Sequence, residues 1–254
     1  GSGKTAFLHT LILSAAYNYS PDELEVNLFD FKDGVGFKMY KEKRLPHVNF
    51  IALENKIEDA LEVLEYINSM MTERNRLISS FDGVNSLKGY NKLAAEKKDP
   101  SRPVIRRSLI IIDEYQLLLM NDKCVSILEN IARQGRSAGI SLVLMVIILL
   151  IMTIMNQFDA DDDKVLISQD VPNESGFTKI KQLLDHRFAF RGSTDNVDRL
   201  ISGAGRRAAE LELQKGICFY EANDSIIKSL RVAFSGDDSD LAENIDRMSR
   251  KYGD

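Results

Sequence analysis

Two short clusters of residues have the types and spacing to act on a phosphate. The first is Gly1-Ser2-Gly3-Lys4-Thr5. Glycines let main-chain N–H groups close around phosphate oxygens. A lysine in this setting reaches the β- and γ-phosphates, and a following Thr hydroxyl ligates Mg²⁺. The spelling matches the second half of a GxxxxGK[ST] loop, so nucleotide contacts are expected over Gly1, Ser2, Gly3, Lys4, Thr5 and Ala6. GSG is also the spelling of a tag remnant. The second cluster decides between the two readings: Leu109-Ile110-Ile111-Ile112-Asp113-Glu114, a buried-strand run ending in two carboxylates. Here Asp113 would accept a water of the Mg²⁺ shell, and Glu114 would polarise the attacking water as general base. Together they describe hydrolysis of a nucleoside triphosphate with Mg²⁺.

These residues need a scaffold that delivers them to one place. Leu8, Leu11, Ile12, Ala15 and Ala16 recur at helical spacing after Thr5, so a helix opens at the glycine-rich loop and turns its positive end toward the anion. Strands are expected at Val26–Phe31, leaving Asp30 and Lys32 near a carboxyl end, and at Val48–Ala52. A long amphipathic helix follows, with its stripe on Ile57, Leu61, Leu64, Ile67 and Met71. Lys88 to Arg107 reads as a polar, basic loop, with seven basic residues against Glu96 and Asp99. After the Asp113 strand come a helix from about Lys123 to Ser137 and a strand from Ile140 to Leu144. Strands alternating with helices predict a parallel, doubly wound sheet, whose strand carboxyl ends face the ligand.

The apolar run from Ile140 to Met155 is short of a membrane span, and is read as a buried strand continuing into apolar helix or loop. Asp159, Asp161 and Asp163 alternate, but Lys164 stands where a calcium loop needs Gly. The stretch reads as an acidic surface insertion. Arg187–Arg191 alternates as a strand, Gly216–Tyr220 and Ile226–Phe234 form a terminal hairpin, and Leu241, Ile245 and Met248 mark a short final helix.

Bulk composition narrows the partners. The 254 residues carry a net charge of −5, so any nucleic-acid contact must be local, as at Lys88–Arg107. Cys124 and Cys218 are too few for a disulfide framework or zinc site, which favours a reducing compartment. His9, His47 and His186 are scattered and read as structural or surface residues.

The order of several blocks carries a further signal. GSGKT opening FLHTLI, then NLFDFKDGVGF, LPHV, IALE, LIIIDEYQ and ARQGRSAGISLVL, then DHRFAFRGSTDNVDRLI and KGICFYE, together resemble the FtsK/SpoIIIE family of ring-shaped motor ATPases. The resemblance implies ATP as the nucleotide and a RecA-like P-loop domain over residues 1–235, N-terminally truncated with its first strand missing. A surface insertion is expected at 156–178, and an acidic linker with a short helix at 236–254. It also implies a homohexamer that threads its substrate through a pore, with double-stranded DNA as the leading cargo. Protein substrates of a type VII secretion branch are the alternative, and a nucleotide-binding module with weak hydrolysis is another. Ring motors complete the site with a neighbour's arginine; Arg133, Arg136 and Arg191 are the candidates. A cytoplasmic domain is implied, held at the inner face of a membrane by an upstream region. One block departs: the family's polar Ala-Thr-Gln-like sensor is replaced by apolar Met145 to Met155. The DFKDGVGF and ARQGRSAG blocks argue against a helicase-like or AAA-type protein.

Overall fold

The structure is a computed structural model of the chain. It describes residues 3–31, 36–52, 57–145, 174–190, 197–198, 200–211, 216–222, 227–233 and 236–253. The apolar run beyond Met145, the Asp159–Asp163 stretch and nearly all of the expected insertion lie outside the described residues, as do Gly1, Ser2 and Arg191. The chain divides into two compact units. The first is Gly1–Ser14 with Ile147–Ile245, and the second is Ala15–Val146 with Asp246–Asp254.

The second unit is built on a four-stranded parallel sheet in the order β2-β1-β3-β4, with β1 Leu24–Asp30, β2 Val48–Ala52, β3 Arg107–Asp113 and β4 Ile140–Leu144. Every β1 residue is buried, and so are five of the seven in β3. This is the expected state of central parallel strands covered on both faces, and it explains their near-continuous Val/Ile/Leu runs. β1 and β3 pair without slippage from Leu24↔Arg107 to Asp30↔Asp113. The helices are α2 Lys38–Lys43, α3 Ile57–Ile78, α4 Leu87–Lys97 and α5 Asp122–Gln134. α3 buries Leu64, Ile67 and Met71, as its stripe predicts. It meets α5 through an Asn130–Asn68 side-chain hydrogen bond of 2.7 Å and the Lys123–Glu65 ion pair. α5 starts at Asn121, whose side chain accepts from the Lys123 and Cys124 N–H groups.

One expectation is corrected here. Lys88 to Arg107 is not all loop, because its first half is α4. Ser86 caps this helix by accepting from the Gly89 N–H, and Leu87, Tyr90 and Ala94 form a buried face at i, i+3 and i+7. Lysines dominate its composition and hide that short stripe. Gly139, at φ +72°, passes directly over α4: a Cβ there would come within 2.1 Å of Leu87 Cδ2.

The amino end of the sheet holds a buried polar network. Arg74 on α3 donates to Glu25 on β1 at 3.0 Å, to Ser108 on β3 at 2.8 Å and to the Ala138 carbonyl at 3.3 Å. Ser108 also donates to Glu25, and Arg106 pairs with the second Glu25 oxygen at 3.2 Å. Burial pulls Arg74 below its ordinary value, and Glu25 partly restores it.

The end of α7 (Asp238–Tyr252) closes the second unit. Asp246 pairs with Lys43 at 2.8 Å, and the Tyr252 ring meets His47 edge-on at 5.2 Å between centroids. His47 is 1% exposed. Its Nε2 lies 2.7 Å from the Tyr19 carbonyl and so carries the proton, while its buried Nδ1 meets no partner among the described residues. Burial lowers its pKa below the ordinary 6.5, with a smaller contribution from Lys251, against the hydrogen bond that it donates to the Tyr19 carbonyl.

The first unit contains an antiparallel sheet in the order β5-β6-β7, with β5 His186–Ala189, β6 Ile217–Ala222 and β7 Lys228–Arg231. The terminal hairpin is therefore as expected, and β5 joins it. Arg187 and Glu221 face each other across β5 and β6 and pair at 2.8 Å, both nearly buried. A cluster of Ala189, Ile201, Ala204, Leu211 and Phe219 fills the core. α6 (Glu174–Leu183) precedes β5 and buries Ile180.

Two stability predictions follow from the second unit. Arg74→Met leaves the buried Glu25 with less compensation and should cost about 3 kcal/mol in urea unfolding, while the Glu25→Gln/Arg74→Met double variant should lose less than the single one. Burial disfavours the charged form of His47 in the folded state. The His47 contribution is present above the ordinary pKa of 6.5 and is lost as pH falls below it toward the lowered folded value. His47→Gln, which keeps a donor for Tyr19, should therefore lose less stability than wild type between about pH 7.5 and 5.5 in thermal melts.

Candidate nucleotide site

The residues expected to bind phosphate belong to the first unit and the acidic pair to the second. In the first unit, α1 (Lys4–Asn18) starts at Lys4, with its first turn closed by the Phe7 N–H donating to the Gly3 carbonyl at 2.9 Å. Gly3 has φ +99°, and a Cβ there would lie 3.1 Å from Gly216 Cα. Only glycine combines that backbone with that close approach. The N–H groups of Lys4, Thr5 and Ala6 thus sit in the first turn of a 15-residue helix, where the positive end of the dipole favours an anion. The Thr5 side chain is exposed and that of Lys4 half-buried. Phe7 anchors this turn against Phe188 at 4.9 Å and Phe190 at 5.7 Å, and Thr10 donates to the Ala233 carbonyl at 2.9 Å. The glycine-led helix start has the form a phosphate needs.

In the second unit, β3 ends on half-buried Asp113, which accepts the Glu114 N–H at 3.0 Å. Glu114 is 3% exposed and left-handed, at φ 57° and ψ 44°. For a non-glycine residue that backbone costs about 1–2 kcal/mol, and such conformations cluster at functional sites. The turn is held on both sides. The Tyr115 N–H donates to the Met145 carbonyl at 3.1 Å, and the Met145 N–H donates to the Ile112 carbonyl at 2.8 Å. A 3-10 helix at Tyr115–Met120 then buries Tyr115, Leu118 and Leu119. Asp113 and Glu114 are therefore fixed by β3, β4 and the packing beyond them.

The register places Asp30 beside Asp113 at the carboxyl edge. Asp30 is 3% exposed and accepts the Gly36 N–H at 3.1 Å, while the Phe31 N–H donates to the Asp113 carbonyl at 3.4 Å. Reading residue types put Asp30 at a strand end but gave it no part in the site. Its signal was a carboxylate closing an otherwise buried strand. Arg133 and Arg136 are exposed, at the end of α5 and in the turn that leads into the amino end of β4. Within the second unit they lie at the end of the sheet away from Asp113, because Ser108, not Asp113, pairs with Ile140. Among the described residues no cluster of His, Cys, Asp and Glu could hold a metal by itself, so a cation here would need the nucleotide's oxygens as well as Asp113.

Comparison with known proteins gives this arrangement a context. ESX-5 secretion system protein EccC5 of Mycobacterium tuberculosis is 29% identical over 149 residues, covering 57% of this chain and 10% of that protein. Type VII secretion system protein EssC of Staphylococcus aureus is 32% identical over 145 residues, with the same coverage. The chain thus spans about a tenth of the length of these curated relatives. The cytoplasmic domain of the Thermomonospora curvata type VII secretion ATPase EccC superposes with a TM-score of 0.70 at 24% identity, covering 97% of this chain and 26% of that one. ATPases 2 and 3 of the same protein, in complex with a signal sequence peptide, superpose at 0.66 and 20% identity, covering 99% and 40%. These likenesses confirm the P-loop ATPase fold. Residues 1–157 match the FtsK/SpoIIIE family itself, and the chain, with its glycine-led helix start and its strand ending in Asp113 and Glu114, belongs to that family of P-loop ATPases.

Proposed function

We propose that the chain is an ATP-hydrolysing module of a type VII secretion ATPase, and that its work is spent on protein cargo. The observation that carries the cargo is the identity of the relatives: EccC5 and EssC are secretion system proteins, and they match over 57% of the chain. This displaces double-stranded DNA as the leading cargo. The likeness to EccC bound to a signal sequence peptide supports a peptide segment as the ligand.

In this reading Gly1 to Ala6 hold the phosphates, with the Lys4 ammonium on the β- and γ-oxygens. Thr5 and, through water, Asp113 hold Mg²⁺, which when bound neutralises charge developing on the phosphates. Glu114 takes a proton from the attacking water, and its left-handed backbone, fixed by Tyr115 and Met145, aims the carboxylate. The module works in a ring, and a neighbour's arginine, one of Arg133, Arg136 and Arg191, meets the γ-phosphate; such a residue is worth roughly 10³–10⁵ in rate. It acts at the cytoplasmic face of a membrane through parts of the parent protein.

Two measurements test this on the parent protein. Glu114→Gln should lower ATP turnover by at least about 10²-fold while leaving nucleotide binding intact, and Lys4→Ala should weaken binding itself. Equal turnover in wild type and Glu114→Gln would refute the hydrolytic role. For the cargo, ATPase rate is followed at fixed salt with a secreted-substrate tail peptide or with duplex DNA. Stimulation by peptide alone fits secretion, whereas stimulation by DNA alone returns the assignment to DNA translocation.

A further inference from the structure

The stretch from α4 to the start of β3 is strongly basic, yet it is rigidly built. Asn91 on α4 grips the following segment as a backbone would: its Nδ2 donates to the Ile105 carbonyl at 2.8 Å, and its Oδ1 accepts the Ile105 N–H at 2.9 Å. The turn between them is closed by Asp99, whose Oδ1 accepts the Ser101 N–H at 2.9 Å and its hydroxyl at 2.7 Å, and by the Arg102 N–H donating to the Asp99 carbonyl at 2.9 Å. Lys97 and Arg102 lie over the Phe81 ring, 4.9 and 4.5 Å from its centroid. Underneath, Ile78, Phe81, Leu87, Tyr90 and Ala94 form a separate small core. A solvated basic loop needs none of this. A surface whose ordering entropy is already met on folding is what binding favours.

The cations of the second unit divide into those paired within the protein, Arg102 and Arg106 of this surface among them, and those that are not. Lys38, Lys43, Arg76 and Lys123 each meet a carboxylate. Lys88, Lys92 and Lys98 are exposed and meet none among the described residues. Lys88 and Lys92 are one helical turn apart, about 6 Å along the axis. Carboxylates on an extended or helical peptide are spaced on the same scale.

The surroundings set the size of the partner. Exposed Asp22 and Glu23 lie in the turn whose Pro21 carbonyl accepts from Arg106 at 3.5 Å and whose Glu23 carbonyl accepts from the Arg107 N–H at 2.9 Å. Glu96 and Asp99 interrupt the patch itself. A nucleic-acid duplex would carry its phosphates across these carboxylates, whereas a short segment need not. Val104, 55% exposed, adds an apolar contact that a peptide side chain can cover and a phosphate backbone cannot.

We propose that this surface docks a short acidic polypeptide segment, with Lys88, Lys92 and Lys98 as the recognising cations. The patch lies at the amino end of the sheet, away from Asp113 and Glu114. Docking there does not require the secretion reading, and its test is separate from ATP turnover.

The experiment uses the full chain and fluorescence anisotropy with three probes: a fluorescein-labelled decaglutamate peptide, a labelled 20-base-pair DNA duplex, and vesicles of phosphatidylglycerol and phosphatidylcholine. The peptide should bind at about 50 mM salt and lose at least about tenfold in affinity in Lys88→Glu/Lys92→Glu/Lys98→Glu. The neutral triple variant with Gln should fall between the two, and Lys41→Glu, an exposed lysine on α2, should bind as wild type does. Circular dichroism melts confirm that the variants fold; a misfolded Glu triple leaves the Gln triple to decide. Absence of peptide binding, equal binding by wild type and the folded triple variants, or tighter binding of the duplex or the vesicles than of the peptide would each overturn the proposal.

Discussion

The pairing of β1 with β3 is the constraint on which the second unit depends. Both strands are central, both are buried along nearly all their length, and their register runs unbroken from Leu24↔Arg107 to Asp30↔Asp113. A slip of one residue would turn the buried faces of both strands over. The same seven pairs therefore fix what happens at each end of the sheet. At the amino end they set Glu25 beside Ser108, where Arg74 can reach both. At the carboxyl end they set Asp30 beside Asp113.

The two ends use charge differently. At the amino end, opposite charges neutralise each other within the protein, and Glu25 is enclosed by Arg74, Arg106 and Ser108. At the carboxyl end carboxylates gather: Asp30, Asp113 and Glu114 occupy neighbouring positions. Like charges so placed favour a cation, and in a P-loop ATPase that cation arrives with the nucleotide. The backbone at Glu114 is left-handed because β3 stops, the 3-10 helix begins, and Met145, just past β4, holds the Tyr115 N–H. Strain of this kind persists only where the surroundings impose it.

The basic surface around α4 follows from the same architecture. β3 starts at Arg107, so the segment leading into it must approach the amino end of the sheet. Asn91 holds that approach in one course. Two distinct edges, one acidic and one basic, thus lie at opposite ends of one set of parallel strands.

Much of this was legible in the residues themselves. The GSGKT spelling, the LIIIDE run and the strand–helix alternation suffice for the fold class and the family, and they single out Lys4, Thr5, Asp113 and Glu114 as candidates, because phosphate and metal chemistry demand particular residue types at short local spacing. The stripes of α1 and α3 were equally plain, since a helix writes its buried face at a fixed period. Four features were decided by tertiary structure alone. α4 was hidden because its buried face is only Leu87, Tyr90 and Ala94 among many lysines. The place of Asp30 beside Asp113 depends on the pairing of strands far apart in sequence, and local pattern holds no record of register. The left-handed turn at Glu114 and the isolation of Lys88, Lys92 and Lys98 from carboxylates depend on which neighbours the fold brings near, which only the packed chain can determine.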